Sequence, residues 1–206
     1  MVELTHSEQI WLKENYPELS YDSTNHILNG KVSFSSQYGD LPVIKDKYAI
    51  KVDFSQMKDR YDFPCVYNTD HRILDAAKRK RKPYIDFHIG IDGKLCMILS
   101  CKLQQVYPNG FNIQDFMNHL CNHLYWVSFY ELYDKEPWPG EKHGDEAWFE
   151  YVTDYSNINL IVNDQKMLEL FRKLFNKKYG KGIARNKLKN RLLADELLFN
   201  ELINCK

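Results

Sequence analysis

The sequence predicts an α+β fold: an antiparallel β-meander flanked by helices, with a C-terminal helical extension. Three observations predict it. Short stretches of two-residue alternation follow one another with no helical pattern between them, which favours a meander over βαβ units. One long central segment carries apolar residues at helical spacing. The remainder of the chain also reads as helix.

"SEQIWLKENYP" reads as a short helix, with Ser7 as its cap, Ile10, Trp11 and Tyr16 on its apolar side, and Pro17 ending it. "ILNGKVSFSSQY" reads as a strand from the alternation of Val32 and Phe34. "YAIKVDFS" is the cleanest strand, with Tyr48, Ile50, Val52 and Phe54 facing one way and Lys47, Ala49, Lys51 and Asp53 the other. "DFPCVYNT" alternates through Phe63, Cys65 and Tyr67 and gives a third. The basic run Lys78–Lys82 in "AAKRKRKP" reads as a solvated loop or helix end, or else as a docking patch for an acidic partner. "YIDFHIGIDGKLCMIL" reads as extended chain around the turn dipeptide Asp92-Gly93.

In "NIQDFMNHLCNHLYWVSFYELY", Ile113, Phe116, Met117, Leu120, Leu124 and Val127 recur at helical spacing. His119 and His123 lie four apart on that helix, but no third ligand is spaced to match and HExxH is absent, so no metal site is expected. "DKEPWPGEKHGDEAWFEY" is a Pro/Gly-rich loop with two tryptophans. Beyond it, Met167, Leu170, Phe171, Leu174 and Phe175 form one helical stripe, and Leu188, Leu192, Leu193, Leu197, Leu198, Leu202 and Ile203 another. The second stripe, with its basic flank, either docks on a partner or folds back on the sheet.

Composition narrows the function classes. The 206 residues are 44% hydrophobic and 27% charged, as in an ordinary globular protein. Lys+Arg and Asp+Glu balance at 28 each, so no whole-chain footprint for nucleic acid or membrane follows. The five cysteines are odd in number and contain no CxxC, which argues against a disulfide framework or a thiolate zinc site. With neither a signal-peptide pattern nor a long apolar run, a cytoplasmic location is expected.

The order of helix, meander, extended segment with Gly-x-Leu-Cys and long helix resembles the ubiquitin-conjugating-enzyme fold. "HIGIDGKLCM" is similar to that family's active-site stretch, where Gly, a variable residue and Ile or Leu lead into the catalytic Cys. "WPGEKHGDEAWFEY" resembles the Trp-Pro-Gly and His-Gly stretch of the bacterial ubiquitin-conjugating-like proteins encoded in anti-phage CBASS operons. The resemblance implies a catalytic domain over 1–155 and a C-terminal helical extension over 156–206.

It further implies that Cys96 is the acyl-accepting nucleophile, and that the protein is an acyltransferase needing no cofactor. Its acyl donor would be the C-terminus of a cGAS/DncV-like nucleotidyltransferase, primed in this way for anti-phage defence. No Gly-rich nucleotide loop follows a strand, so activation would come from elsewhere, as from a separate activating enzyme, or by another route. Free thiols ionise near pH 8.5 and their thiolates are strong nucleophiles, which suits such a carrier.

Two features depart from the family. His88 stands where eukaryotic members carry the Asn of His-Pro-Asn, and the cysteine-rich tail of some bacterial relatives is absent. His88 is then an oxyanion donor in place of Asn, a base, or a packed residue ordering the loop. A role in transfer rather than folding predicts that His88→Ala slows transfer with little change in melting temperature. His143 reads as structural, tied to Trp138 and Trp148, unless its loop folds back to the site. Cys65, Cys121 and Cys205 read as core or incidental, and Cys101 as a rival nucleophile without the Gly-turn context. Two other functions remain open: a catalytically silent scaffold of the same fold, and a thiol hydrolase using Cys96 and a His.

Overall fold

A computed structural model of the chain describes residues 2–140 (Cys101 by its backbone), and beyond them 142, 147–148, 150–151, 157, 164–167, 169–171 and 173–174. The chain divides into two compact units, Met1–Gly140 and Glu141–Lys206, a boundary that falls before the 155 implied by the resemblance. The elements of the first unit make it α+β, with a four-stranded antiparallel sheet in the order β1-β2-β3-β4.

Helix α1, His6–Asn15, is capped by Thr5 rather than Ser7. The Glu8 N–H donates to the Thr5 hydroxyl at 3.3 Å, and the Thr5 N–H donates to the Glu8 carboxylate at 2.7 Å. This reciprocal pair satisfies two otherwise orphaned donors. The helix buries Glu8 and Leu12, whereas Ile10, expected on the apolar side, is 46% exposed. Glu8 can face inward because the Arg60 guanidinium meets its carboxylate at 2.9 Å.

Strands β1 (Leu19–Asp22), β2 (Ile27–Ser36), β3 (Ile44–Asp53) and β4 (Cys65–Asn68) follow. The alternation read from "YAIKVDFS" holds: Tyr48, Ile50, Val52 and Phe54 are all buried. β1 escaped sequence reading because a strand of four residues with one buried position carries too little pattern. β4 faces the other way from the expected alternation. Val66 sits opposite core-facing Val52 in the register, so Val66 and Asn68 are buried while Cys65 and Tyr67 lie on the outer face.

Helix α2, Arg72–Lys80, buries Ile73, Leu74, Ala76 and Ala77. The basic run is its last turn, a position favoured by the helix dipole, and Arg81 closes it in left-handed conformation. Lys78 meets Asp75 at 3.4 Å, Arg79 meets Glu131 at 2.7 Å and Lys82 meets Asp134 at 3.9 Å. The run is thus an ion-paired helix end. The start of the next stretch is not extended as expected: Tyr84–Phe87 form a 3-10 turn. After it the chain runs as a short hairpin around the expected Asp92-Gly93 turn. Helix α3 spans Leu103–Val106.

Helix α4, Ile113–Tyr133, starts at Asn112, whose side chain accepts the Gln114 and Asp115 N–H groups at 2.9 and 3.2 Å. The apolar positions read from sequence, Ile113 through Val127, are buried. One polar network joins α4 to the sheet. Ser128 Oγ and Tyr48 Oη are 2.7 Å apart, Ser128 donates to Asp46 at 2.8 Å, and Arg72 donates to Asp46 at 2.6 Å while lying 4.3 Å above the Tyr48 ring. Burial pulls the Asp46 carboxyl up, but the bonds from Arg72, Ser128 and the Lys47 N–H outweigh it and hold Asp46 below the usual carboxylate range.

In the second unit, Ala147, Trp148, Glu150 and Tyr151 are helical and Asn157 donates to the Tyr151 carbonyl at 3.1 Å. Asp164 accepts the Lys166 and Met167 N–H groups at 2.9 and 3.3 Å, opening a helical stretch that buries Phe171 and Leu174. His143, Cys205 and the leucine stripe from Leu188 to Ile203 lie outside the described residues. Among the described residues, no helix is long and apolar enough to cross a membrane.

Candidate active site

The segment that carries Cys96 is set by its backbone. Gly90 accepts the Gly93 N–H at 3.0 Å and donates to the Lys94 carbonyl at 2.7 Å, closing a tight reversal. Gly93 takes φ 82, a conformation that suits glycine, at the end of that turn. The returning chain is then held on both sides. The Leu95 N–H donates to Val66 of β4 at 2.8 Å, and the Cys96 N–H donates to the His88 carbonyl at 2.7 Å. Isolated bridges join Tyr67 to Lys94 and Ile89 to Leu95. The hairpin therefore extends the sheet beyond β4.

Alternation along this chain decides which side chains reach solvent. Leu95 is 5% exposed and plugs into the core, so Lys94 and Cys96 on either side of it face outward. The Cys96 thiol is exposed. Even so, the protein packed around its sulfur desolvates it and raises its pKa above the usual thiol value; Lys94 works to lower it and Asp92 adds to the rise. Tyr67 and Cys65 share this outward face across the bridge, and the Lys51 ammonium stands 4.8 Å from the centre of the Tyr67 ring. Lys94 contacts the Cys65 thiol, which holds its ammonium above the usual lysine pKa.

His88 meets Cys96 through its backbone, and its side chain goes elsewhere. By strand alternation, a residue opposite Cys96 would share its outward face. His88 instead adopts φ 52, ψ 40, which ends the alternation, and its imidazole is only 8% exposed. The ring packs edge-on against Trp126 at 4.4 Å and lies 5.8 Å from the His123 ring. The loop after α4 comes down over it. A Cβ on Gly140 would sit 2.9 Å from His88 Nε2 and 3.2 Å from the Trp126 ring, so this position admits only glycine without displacement.

The first half of the Trp-Pro-Gly motif thus has a structural use. Trp138 stacks on Tyr125 at 5.7 Å, meets Tyr38 edge-on at 5.2 Å, and accepts the Trp126 indole N–H on its carbonyl at 3.1 Å. This strap fixes Gly140 over the imidazole. This packing favours the reading of His88 as a packed residue that orders the loop, and on it His88→Ala should destabilise the fold.

Cys65 was expected in the core or as incidental, and the structure puts it half-buried on the outward face beside Lys94. Cys121 is buried, with its sulfur 3.5 Å from Tyr16 Oη. His119 Nδ1 is 2.9 Å from Tyr107 Oη, and no group of three metal-ligating side chains gathers among the described residues. Sequence reading missed Lys94 and Asp92 as neighbours of the sulfur. The signal was present in the alternation around Leu95. Compared with protein-family models, curated proteins and solved structures, the chain matches none.

Proposed function

We propose that the protein is a ubiquitin-conjugating-like acyl carrier of bacterial anti-phage defence, holding the C-terminus of a cGAS/DncV-like nucleotidyltransferase as a thioester on Cys96. One observation carries this reading: an exposed thiol on a hairpin pinned to the last strand of a four-stranded meander. The sulfur is reachable while Leu95 anchors its loop, which is what a carrier needs.

In the first step the Cys96 thiolate attacks the carbonyl of a C-terminus already held as a thioester on an activating protein. A new C–S bond forms, the old one breaks, and the departing thiolate takes up a proton. In the second step an amine attacks, the C–N bond forms, and Cys96 leaves as thiolate while the nitrogen gives up a proton to solvent. The thiol-hydrolase alternative would need a base at the sulfur, and the His88 imidazole is packed against Trp126. A silent scaffold is favoured by the raised Cys96 pKa, because less thiolate is present at neutral pH.

Intact-mass measurement after co-expression with genomic neighbours, without reductant, tests the reading. The expected result is a hydroxylamine-labile adduct lost in Cys96→Ala and replaced by a hydroxylamine-resistant ester in Cys96→Ser. An adduct that survives Cys96→Ala and disappears with Cys65→Ala or Cys101→Ala assigns the chemistry to another sulfur. No adduct on any cysteine, with the partner still co-purifying, leaves the scaffold.

A further inference from the structure

Around Cys96 the hairpin carries two opposite charges, one on each side of Gly93. Lys94 is two residues from Cys96 along extended chain, about 6.6 Å between Cα positions, and on the same outward edge because Leu95 points inward. Asp92 sits at the turn, and its carboxylate accepts the Lys94 N–H at 3.1 Å. That bond keeps the acid at the mouth of the loop. The other charged or titratable groups facing this edge are Cys65 and Tyr67 on β4, Lys51 and Asp53 on β3, and His88, whose carbonyl takes the Cys96 N–H. Lys51 and Asp53 are 3.9 Å apart and pair with each other. Lys94 and Asp92 are the charges the hairpin itself carries beside the Cys96 sulfur, and the Lys94 ammonium also contacts the Cys65 thiol.

We propose that Lys94 and Asp92 form an opposed charge pair that tunes the ionisation of the partly desolvated Cys96 thiol: the ammonium stabilises the thiolate and the carboxylate resists it. The purpose of the pair rests on the carrier reading; its existence does not. The proton that leaves the sulfur goes to solvent. Sequence reading left His88 as oxyanion donor, base or packed residue; the electrostatic role at the sulfur goes instead to the two residues flanking Gly93.

The test is the pH dependence of iodoacetamide alkylation of Cys96, resolved from the other cysteines by peptide mass in the full-length protein. Lys94→Gln should move the midpoint up by about 0.5–1 pH unit, the size expected for one unit charge near 7 Å at a wet surface. Lys94→Arg should stay within about 0.2 unit of the parent. Asp92→Asn keeps the oxygen that accepts the Lys94 N–H, and should move the midpoint down by about 0.3–1 unit. A loop merely disturbed by substitution would not shift in opposite directions for the two variants. Unchanged midpoints, shifts of one sign, or a Lys94→Arg shift as large as that of Lys94→Gln would overturn the proposal. Because alkylation needs no acyl donor, opposite shifts with no thioester adduct would remove the carrier reading and keep the charge pair. An adduct without the shifts would do the reverse.

Discussion

Removing the His88 ring separates a packed residue from a chemical one. The imidazole is 8% exposed, stands 4.4 Å from the Trp126 ring, and is covered by the backbone at Gly140. His88→Ala deletes a ring from that site and leaves a cavity that Trp126 and the strap cannot readily close. Aromatic-to-alanine changes in cores cost about 3–5 kcal/mol, and a smaller polar ring scales this to about 2–3 kcal/mol. For a unit of this size that corresponds to a fall of about 6–12 °C in melting temperature, read by far-UV circular dichroism. His88→Asn gives a control. Asn tolerates the left-handed backbone at φ 52 better than Ala, so it should recover about 1 kcal/mol of the loss. Transfer from Cys96, measured per folded molecule well below the melting range, should stay within about threefold of the parent, since the ring acts on packing rather than at the sulfur. The reasoning is refuted if His88→Ala melts within about 2 °C of the parent yet transfers more than about tenfold slower. The imidazole would then serve the reaction.

Two further outcomes follow, one from the same contacts and one from the Asp46 network. Gly140→Ala should lower the melting temperature of the parent, because overpacking against a fixed ring costs about 1–3 kcal/mol; in the His88→Ala background the vacated space should absorb the methyl, giving a coupling energy above about 0.5 kcal/mol in the double-mutant cycle. Asp46→Asn should cost about 1.5–3 kcal/mol at pH 7, where the charged bonds from Arg72 and Ser128 are intact. Asp46 is held below its unfolded value, so its contribution is present above about pH 4 and lost as pH falls through the folded pKa. Urea unfolding at pH 7 and pH 2 should accordingly show the gap between parent and variant closing at the lower pH.

How legible this fold was depended on how much pattern each element carries. β3 and α4 were readable because burial on one face leaves long runs of period two and period 3.6. β1, with four residues, was not; β4 was read as a strand from "DFPCVYNT", but its four residues left the inward face misread. Its side is fixed by pairing Val66 with Val52, a non-local fact absent from "DFPCVYNT". Helix α2 was hidden behind its own charged last turn. At the site, the turn, the inward Leu95 and the outward Cys96 were readable from "GIDGKLCM". The fate of His88 was not. Its left-handed backbone and its burial under Gly140 arise from the strap after α4, far away in sequence, and no local pattern encodes where that strap lands.

The raised pKa of Cys96 weighs differently on the functions open to it. For a hydrolase it is a defect, because the sulfur must be ionised to attack an unactivated bond, and such enzymes lower the thiol pKa with a neighbouring imidazolium. For a carrier the attack is on a bond already activated, and what matters next is how long the product lasts. A thiol of higher pKa is a poorer leaving group, so its thioester yields more slowly to water and to stray amines. A sulfur partly desolvated by its surroundings, opposed by Asp92 and relieved by Lys94, trades speed of loading for persistence of the loaded state. This trade gives a sharp consequence on the carrier reading. Lys94→Gln should load more slowly and hold its acyl group longer, whereas Asp92→Asn should load faster and lose it sooner. Loading and loss rates that moved in opposite directions in either variant, or that shifted with the same sign in both variants, would mean that ionisation does not govern this cysteine.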